Sequence, residues 1–221
     1  ILLENASNSD DSEVMFEILN SFNTQIGVPS SGASEHNVHH AGTAMRFLTA
    51  FFAIQQGNEA VLTGSSRMKE RPIKILVEAL QQLGAEITYE EKEGFPPVKI
   101  KGKKLTQNKV SLPANVSSQY ISALLLVAPK LENGLELTLE GEITSIPYIK
   151  MTLALLNEIG VETSFIENII TVKPQFTIHN SQFTIESDWS SASYFYSIVA
   201  LSEIGTEITL SSYKQNSLQG D

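Results

Sequence analysis

The chain has 221 residues, of which 42% are hydrophobic, 18% charged and 8% aromatic, a balance that fits an α/β protein with a real core and excludes a disordered or fibrous one. Lys and Arg number 15 against 25 Asp and Glu, so the formal net charge of −10 repels nucleic acid and anionic lipid, and any anionic ligand has to be held locally. The absence of cysteine excludes disulfides, thiolate nucleophiles and Cys-ligated zinc, and permits a reducing compartment.

Taken in chain order, Ile1-Leu2-Leu3-Glu4-Asn5 carries no initiator Met, basic leader or export pattern, and the expectation is an excised piece of a longer protein. Ser12 to Phe22 has helical periodicity and leads to Ile26-Gly27. Thr24 to Asn37 reads as a polar loop, and His36 within it, with His39 and His40 just after, lacks the spacing or the carboxylates of a metal site. A helix opens on Gly42-Thr43-Ala44-Met45, and Gly57 to Leu62 follows as a strand. Next comes the basic run Arg67-Met68-Lys69-Glu70-Arg71, then a helix begun by Pro72 that ends at Leu83-Gly84. Glu90, Glu91 and Glu93 with Lys92 form a solvated turn before Pro96-Pro97 and suggest no paired-carboxylate hydrolase. Ser117-Ser118-Gln119-Tyr120 opens another helix, whose uncharged stretch Ile121 to Pro129 is far shorter than the ~20 residues of a membrane span. The strand Gly134 to Leu139, the helix Pro147 to Ile159-Gly160, the helix opening Ser190-Ser191-Ala192-Ser193 and the strand Gly205 to Leu210 complete the series.

The helices are of two alternating kinds. One kind ends in an apolar residue and a Gly suited to a left-handed C-cap; the other opens on small or hydroxylated residues and turns apolar. The second kind opens at 42, 117 and 190, a period of about 75 residues that is too long for a solenoid. The expectation is one α/β domain, residues 1–221, in which three repeated units of two helices and about four strands pack around a pseudo-threefold axis with the apolar helices inside. Unit boundaries are placed at about 1–64 (truncated at its start), 65–141 and 142–212, with 213–221 leading out of the domain.

Chemistry is sought at the helix entrances. Unpaired N–H groups and the positive dipole end make Ala41-Gly42-Thr43 and Ser117-Ser118-Gln119 candidate oxyanion cradles, although the same residues also read as ordinary caps. Arg71 is a candidate clamp for carboxylate or phosphate, or one charge of a solvated loop. Ser145-Ile146-Pro147-Tyr148 offers a hydroxyl and a phenol, which a cap with a packing Tyr would explain equally well. Trp189, between Asp188 and Ser190, reads as a packing anchor, and no nucleophilic triad is discernible.

Ala41-Gly42-Thr43-Ala44-Met45-Arg46, Leu62-Thr63-Gly64 with Arg67-Met68-Lys69-Glu70-Arg71-Pro72-Ile73, Val116-Ser117-Ser118-Gln119 and Asn216-Ser217-Leu218-Gln219-Gly220-Asp221, in that order, resemble the EPSP synthase (3-phosphoshikimate 1-carboxyvinyltransferase) family from about Asn5 to Asp221. The resemblance implies a two-domain cytoplasmic enzyme, each domain an inside-out α/β barrel of three βαβαββ units with buried helices, of which this chain is most of one domain. It further implies transfer of the enolpyruvyl group of phosphoenolpyruvate to the 5-hydroxyl of shikimate 3-phosphate, in aromatic amino acid biosynthesis, through a tetrahedral adduct that loses phosphate, with no metal or organic cofactor.

By motif, Ser117, Ser118 and Gln119 would hold shikimate 3-phosphate with Ser145 and Tyr148, while Gly42, Arg71 and Gln119 would face phosphoenolpyruvate; in the family this glycine also borders the glyphosate site. The sequence departs from the pattern at His40, where Asn is frequent, at Phe47, where Pro is frequent, and at Ser65-Ser66, where an acidic residue and Pro often occur, which blurs fine specificity. The family's early Lys-Ser motif and its acid/base groups lie outside the 221 residues, so the chain is expected to be a monomeric half-site that needs the second domain of the same chain and turns over negligibly alone. Two other readings stand beside this one: UDP-N-acetylglucosamine 1-carboxyvinyltransferase, which usually relies on a loop Cys absent here, and a noncatalytic anion-binding module.

Overall fold

Alternating burial marks the strands, and burial on nearly every side marks two of the helices. In the computed structural model, which describes residues 2–25, 32–175 and 182–219, β1 (Leu2–Glu4) leads to α1 (Asp10–Gln25), followed by β2 (Ser34–Asn37), α2 (Gly42–Ala53) and β3 (Glu59–Thr63). After a 3-10 turn (Met68–Glu70) come α3 (Lys74–Gln82), β4 (Glu86–Tyr89) and β5 (Val98–Lys101). The same order recurs in β6 (Lys109–Pro113), α4 (Ser118–Val127), β7 (Leu135–Glu140), α5 (Ile146–Glu158), β8 (Thr163–Ile166) and β9 (Ile169–Val172), and then β10 (Gln182–Thr184) and α6 (Trp189–Ala200) follow.

Two four-stranded sheets share one topology, β2-β3-β5-β4 and β6-β7-β9-β8, each with a parallel first pair and two antiparallel pairs. The parallel pair β1–β10, in register from Leu2 opposite Gln182, repeats the first contact of each sheet. Hence β10 stands where β2 and β6 stand, and β1 where β3 and β7 stand. This third sheet is drawn from the two ends of the chain, and Glu4 fastens it by accepting bonds from Gln182 Nε2 (2.9 Å) and Thr184 Oγ1 (3.0 Å). The architecture is the mixed α/β class that the periodicity predicts, with helices buried against sheets and, among the described residues, no closed sheet.

Pairing groups the elements as 34–101 and 109–172, about half a unit out of phase with boundaries at 64/65 and 141/142. A repeat length fixes a period but no phase, and the phase here is set by β3 and β7 bonding to strands on both sides. Two further differences follow from pairing. Ser34–Asn37, inside the expected loop Thr24–Asn37, is a polar edge strand parallel to β3, with His36 stacked on Phe52 at 5.0 Å. Residues 205–210 form no strand: they have no ladder partner among the described residues, and an extended segment without one leaves its amides to water.

The core lies around α2 and α4, which pack on each other, with α1 against α2 and α5 against α4. Leu48, Phe52, Ile121 and Leu124 are fully enclosed, each contributing on the order of 1.5–3 kcal/mol of burial. In contrast, Ala192 is the only buried residue of α6, and Tyr194, Tyr196, Ile198 and Leu201 are exposed. Gly84 and Gly160 take the left-handed conformation (φ +101° and +94°) just past α3 and α5, as their place after the last apolar residue predicts. Ile26-Gly27, the third such end, and Gly220-Asp221 lie outside the described residues. Among the described residues no helix is long and apolar enough to cross a membrane.

Candidate functional site

Three helix entrances meet at one end of the α2–α4 pair. The first is reached through a tight turn after β2: Asn37 Oδ1 accepts from the His39 amide at 2.8 Å, and His39 adopts a positive φ of 51°. α2 then begins at Gly42 without a side-chain cap from its own N-cap residue, Ala41. The carboxylates that open α1 reach this entrance instead. Asp11 Oδ1 accepts from the Thr43 amide at 2.9 Å, and Asp10 Oδ2 lies 2.8 Å from His40 Nε2. One amide of the expected Ala41-Gly42-Thr43 cradle is therefore already occupied, by a residue 32 positions away.

Arg71 follows the 3-10 turn in extended conformation (φ −91°, ψ 121°), its amide bonded to the Met68 carbonyl at 3.0 Å. The nearby lysines point elsewhere: Lys69 of the basic run pairs with Glu91, and Lys74 at the start of α3 with Glu93 at 2.9 Å, which gives the acidic turn a tethering role. The Arg71 guanidinium lies on Gly42. A Cβ built on Gly42 would stand 2.7 Å from Arg46 Nη1 and closer still to Arg71 Nη1, so only glycine lets both guanidinium groups approach this backbone. Arg46 Nη1 donates to the Gly42 carbonyl at 2.6 Å, and the Arg46 guanidinium sits 5.4 Å from the centre of the Tyr120 ring. The Tyr120 hydroxyl in turn donates to the Pro72 carbonyl at 2.6 Å.

The entrance of α4 is open. Ser117 is its N-cap residue, yet its hydroxyl caps no amide, and Ser145 at the start of α5 likewise makes no capping bond. That observation decides against the capping explanation for both serines. Gln119 Nε2 donates to Thr43 Oγ1 at 3.0 Å, joining the α4 and α2 entrances. Ser122 and Thr152, buried between α4 and α5, share a bond of 2.8 Å, and Thr152 also donates to the Tyr148 carbonyl at 3.0 Å.

A cavity of about 600 Å³ opens between these elements, lined by Arg46, Arg71, Ser117, Ser118, Gln119 and Tyr148, with Thr43, Phe47 and the α4–α5 side chains around them. None of the described lining residues is acidic, in a chain with 25 Asp and Glu. Of the residues singled out in the sequence, Arg71, Ser117, Ser118, Gln119 and Tyr148 share this cavity, Gly42 lies beneath Arg71, and Ser145 sits three residues before Tyr148 outside the lining. Arg46 and Thr43 line it as well. Their signal was present in the motif, since Arg46 is four positions after Gly42 and so on the same helix face.

A second cavity, about 520 Å³, adjoins the first through Tyr148, Met151 and Leu155 and reaches β1, β10 and the segment 214–219. At its rim Asp188 caps α6, accepting from the amides of Ser190 (3.0 Å) and Ser191 (3.1 Å) and from the Ser191 hydroxyl (2.7 Å). These bonds, that of the Ser191 hydroxyl foremost, hold the Asp188 carboxyl below its ordinary range. Trp189 packs on Tyr213 at 4.7 Å. His36 and His40 have separate partners, Ser34 and Asp10, and among the described residues no cluster of three metal-ligating side chains occurs.

Residues 3–221 match the family profile of EPSP synthase (3-phosphoshikimate 1-carboxyvinyltransferase). A 3-phosphoshikimate 1-carboxyvinyltransferase of Bacteroides fragilis strain YCH46 is 47% identical over 221 residues, 100% of this chain and 51% of the relative. One from Actinobacillus pleuropneumoniae serotype 5b is 42% identical over 186 residues, 82% of this chain and 42% of the relative. The chain thus spans about half the length of the curated relatives it matches. The solved EPSP synthase of Acinetobacter baumannii superposes with a TM-score of 0.68 at 22% identity, covering 87% of this chain and 45% of that one, which is a likeness of fold.

Proposed function

Because the chain belongs to the EPSP synthase family, we propose that the full-length protein transfers the enolpyruvyl group of phosphoenolpyruvate to the 5-hydroxyl of shikimate 3-phosphate. The hydroxyl gives up its proton as its oxygen adds to C2 of phosphoenolpyruvate, and C3 gains a proton to become a methyl group. The tetrahedral adduct then loses a methyl proton from C3 and inorganic phosphate from C2, which restores the C2–C3 double bond and leaves the enol ether. Both substrates carry a phosphate and a carboxylate, so the binding surface has to supply positive charge and N–H or O–H donors.

Ser117 and Ser118 take the shikimate phosphate in this reading, with Gln119, Ser145 and Tyr148 around the same substrate. Gly42, Arg71 and Gln119 face the donor. The single observation that carries the assignment is the acid-free cavity that gathers Arg71 with Ser117, Ser118 and Gln119 in a strongly acidic chain.

We further propose that residues 1–221 supply one wall of the site and that the rest of the full-length protein supplies the other, with the acid/base groups. The exposed apolar side chains of α6 and the half-length match to the relatives support this division. The chain by itself then binds substrates weakly and turns over negligibly, because the reacting groups are not held together. Incubating full-length protein with both substrates and measuring phosphate release and the enol ether product is the test. Product with shikimate 3-phosphate, and none when UDP-N-acetylglucosamine replaces it, is the expected result; binding of both substrates without product would leave a noncatalytic anion-binding module in its place.

A further inference from the structure

Arg46 is 7% exposed, yet none of the ion pairs among the described residues includes it, and its Nε has no hydrogen-bond partner. A buried guanidinium normally has a carboxylate partner, since desolvating the charge is costly. This one stands instead at the positive end of α2, beside the like charge of Arg71. Its partners are a carbonyl, that of Gly42, and an aromatic face, that of Tyr120. Burial, followed by the charge of Arg71, makes the Arg46 proton easier to lose, while Tyr120 and, more weakly, Asp11 oppose that shift.

We propose that Arg46 is a positioning residue that holds the Arg71 guanidinium over the cavity, by occupying the Gly42 carbonyl and bracing the Arg71-Pro72 turn through Tyr120. Two linkages carry the effect. Arg46 Nη1 fills the Gly42 carbonyl, an acceptor directly beneath the Arg71 guanidinium, and like-charge repulsion keeps the Arg71 fork turned outward. The Arg46 guanidinium also rests on the Tyr120 ring, whose hydroxyl holds the Pro72 carbonyl next to Arg71. The inference rests on the reading of this cavity as the anionic donor's site, and it concerns a residue that shapes Arg71 rather than one that reacts.

The test uses full-length protein with Arg46→Met, Arg46→Lys and Tyr120→Phe. In steady-state transfer, Arg46→Met is expected to raise KM for phosphoenolpyruvate about tenfold or more while KM for shikimate 3-phosphate stays within about twofold. Arg46→Lys, which restores the charge but not the fork, should recover part of that loss. Tyr120→Phe keeps the ring but frees Pro72, and should raise the same constant by a smaller factor. Calorimetric titration with inorganic phosphate, which needs no turnover, should show the same ranking of affinities.

Equal rises in both KM values, or no change in the donor constant, would overturn the proposal by making Arg46 a general fold element or a bystander. If Arg46→Met does not fold, the Lys and Phe variants decide between the same outcomes. Wild-type protein that forms no enol ether refutes the proposed transfer reaction. The phosphate titration then still judges Arg46 by itself, and equal phosphate affinity in wild type and variants, or none in any of them, counts against it.

Discussion

The entrances of α4 and α6 are written in nearly the same letters and folded to opposite ends. Both open on paired serines, Ser117-Ser118 and Ser190-Ser191, ahead of an apolar helix. Two positions before each pair stands Asn115 in one case and Asp188 in the other. The Asp188 carboxylate takes two amides and a hydroxyl of the α6 entrance and cancels its positive end, so nothing is left there for an anion. At α4 the serine hydroxyls cap nothing, Arg71 and Arg46 face the same hollow, and the helix itself is buried. The lesson is that a serine run at a helix start carries no function by itself; the charge placed beside it decides whether the entrance is spent on capping or left open.

The largest test of that contrast is at Arg71. Arg71→Ala in the full-length protein is expected to lower kcat/KM for phosphoenolpyruvate by about 10²–10³, equivalent to on the order of 2.7–4 kcal/mol for a lost oxyanion contact. Unchanged kinetics would remove Arg71 from the site and leave the α4 entrance no more special than that of α6. A swap of functions sharpens the comparison further. Ser117→Ala with Ser118→Ala should raise KM for shikimate 3-phosphate by about 1.5–3 kcal/mol in binding and leave the thermal midpoint nearly unchanged, because no capping bond is lost. Asp188→Ala should do the reverse to stability, costing about 0.5–2 kcal/mol in denaturant unfolding. Because the Asp188 carboxyl is held below its ordinary value, its contribution is present at neutral pH and lost as the pH falls through that lowered value.

What could be read in the sequence was what is local. Helix entrances, glycine ends and the apolar runs of α2 and α4 depend on neighbours within a turn or two, and the structure places them close to where periodicity does. The motif residues Ser117, Ser118, Gln119 and Arg71 and their gathering at one hollow were legible through resemblance; the stacking of Arg71 on Gly42 was not, because it needs β2 paired with β3 to carry Gly42 beneath Arg71. Asp11 and Asp10 were invisible for the same reason: they reach the α2 entrance from α1, with the whole β2 turn between. The phase of the repeat and the polar strand Ser34–Asn37 escaped because only pairing, not composition, distinguishes them from loop.

The α2 entrance is the intermediate case, with one amide taken by Asp11 and the glycine still open to two guanidinium groups. Gly42→Ala should therefore act on binding more than on folding, since the atoms a methyl group meets are flexible side-chain tips that can swing away. The expected result is a rise in KM for phosphoenolpyruvate with an unfolding midpoint close to wild type. Gly64→Ala is the matched control. There the methyl group would stand 2.7 Å from the His39 backbone oxygen and 2.6 Å from Met68 Cγ, so the turn itself must shift, at a cost of about 1–3 kcal/mol in stability. Equal losses of stability in both variants would show that Gly42 is needed for the turn and not for Arg71.

The smallest expected effect lies one strand further from the entrance, at His36. Burial holds its ring below the ordinary value of 6.5, and its stack on Phe52 leaves no carboxylate to favour the charged form. The unfolded chain then binds this proton more readily than the folded one, so stability falls as the pH drops below about 6.5 and stops falling once the folded ring is protonated too. His36→Phe keeps an aromatic ring against Phe52 and removes the titration. Between pH 7.5 and 5.5 the wild type should lose slightly more stability than this variant, while phosphate affinity at the α2 and α4 entrances stays the same in both. A pH-dependent difference in phosphate affinity between the two proteins would mean that strand β2 moves the α2 entrance, and that the open and capped entrances are not as independent as their local hydrogen bonds make them.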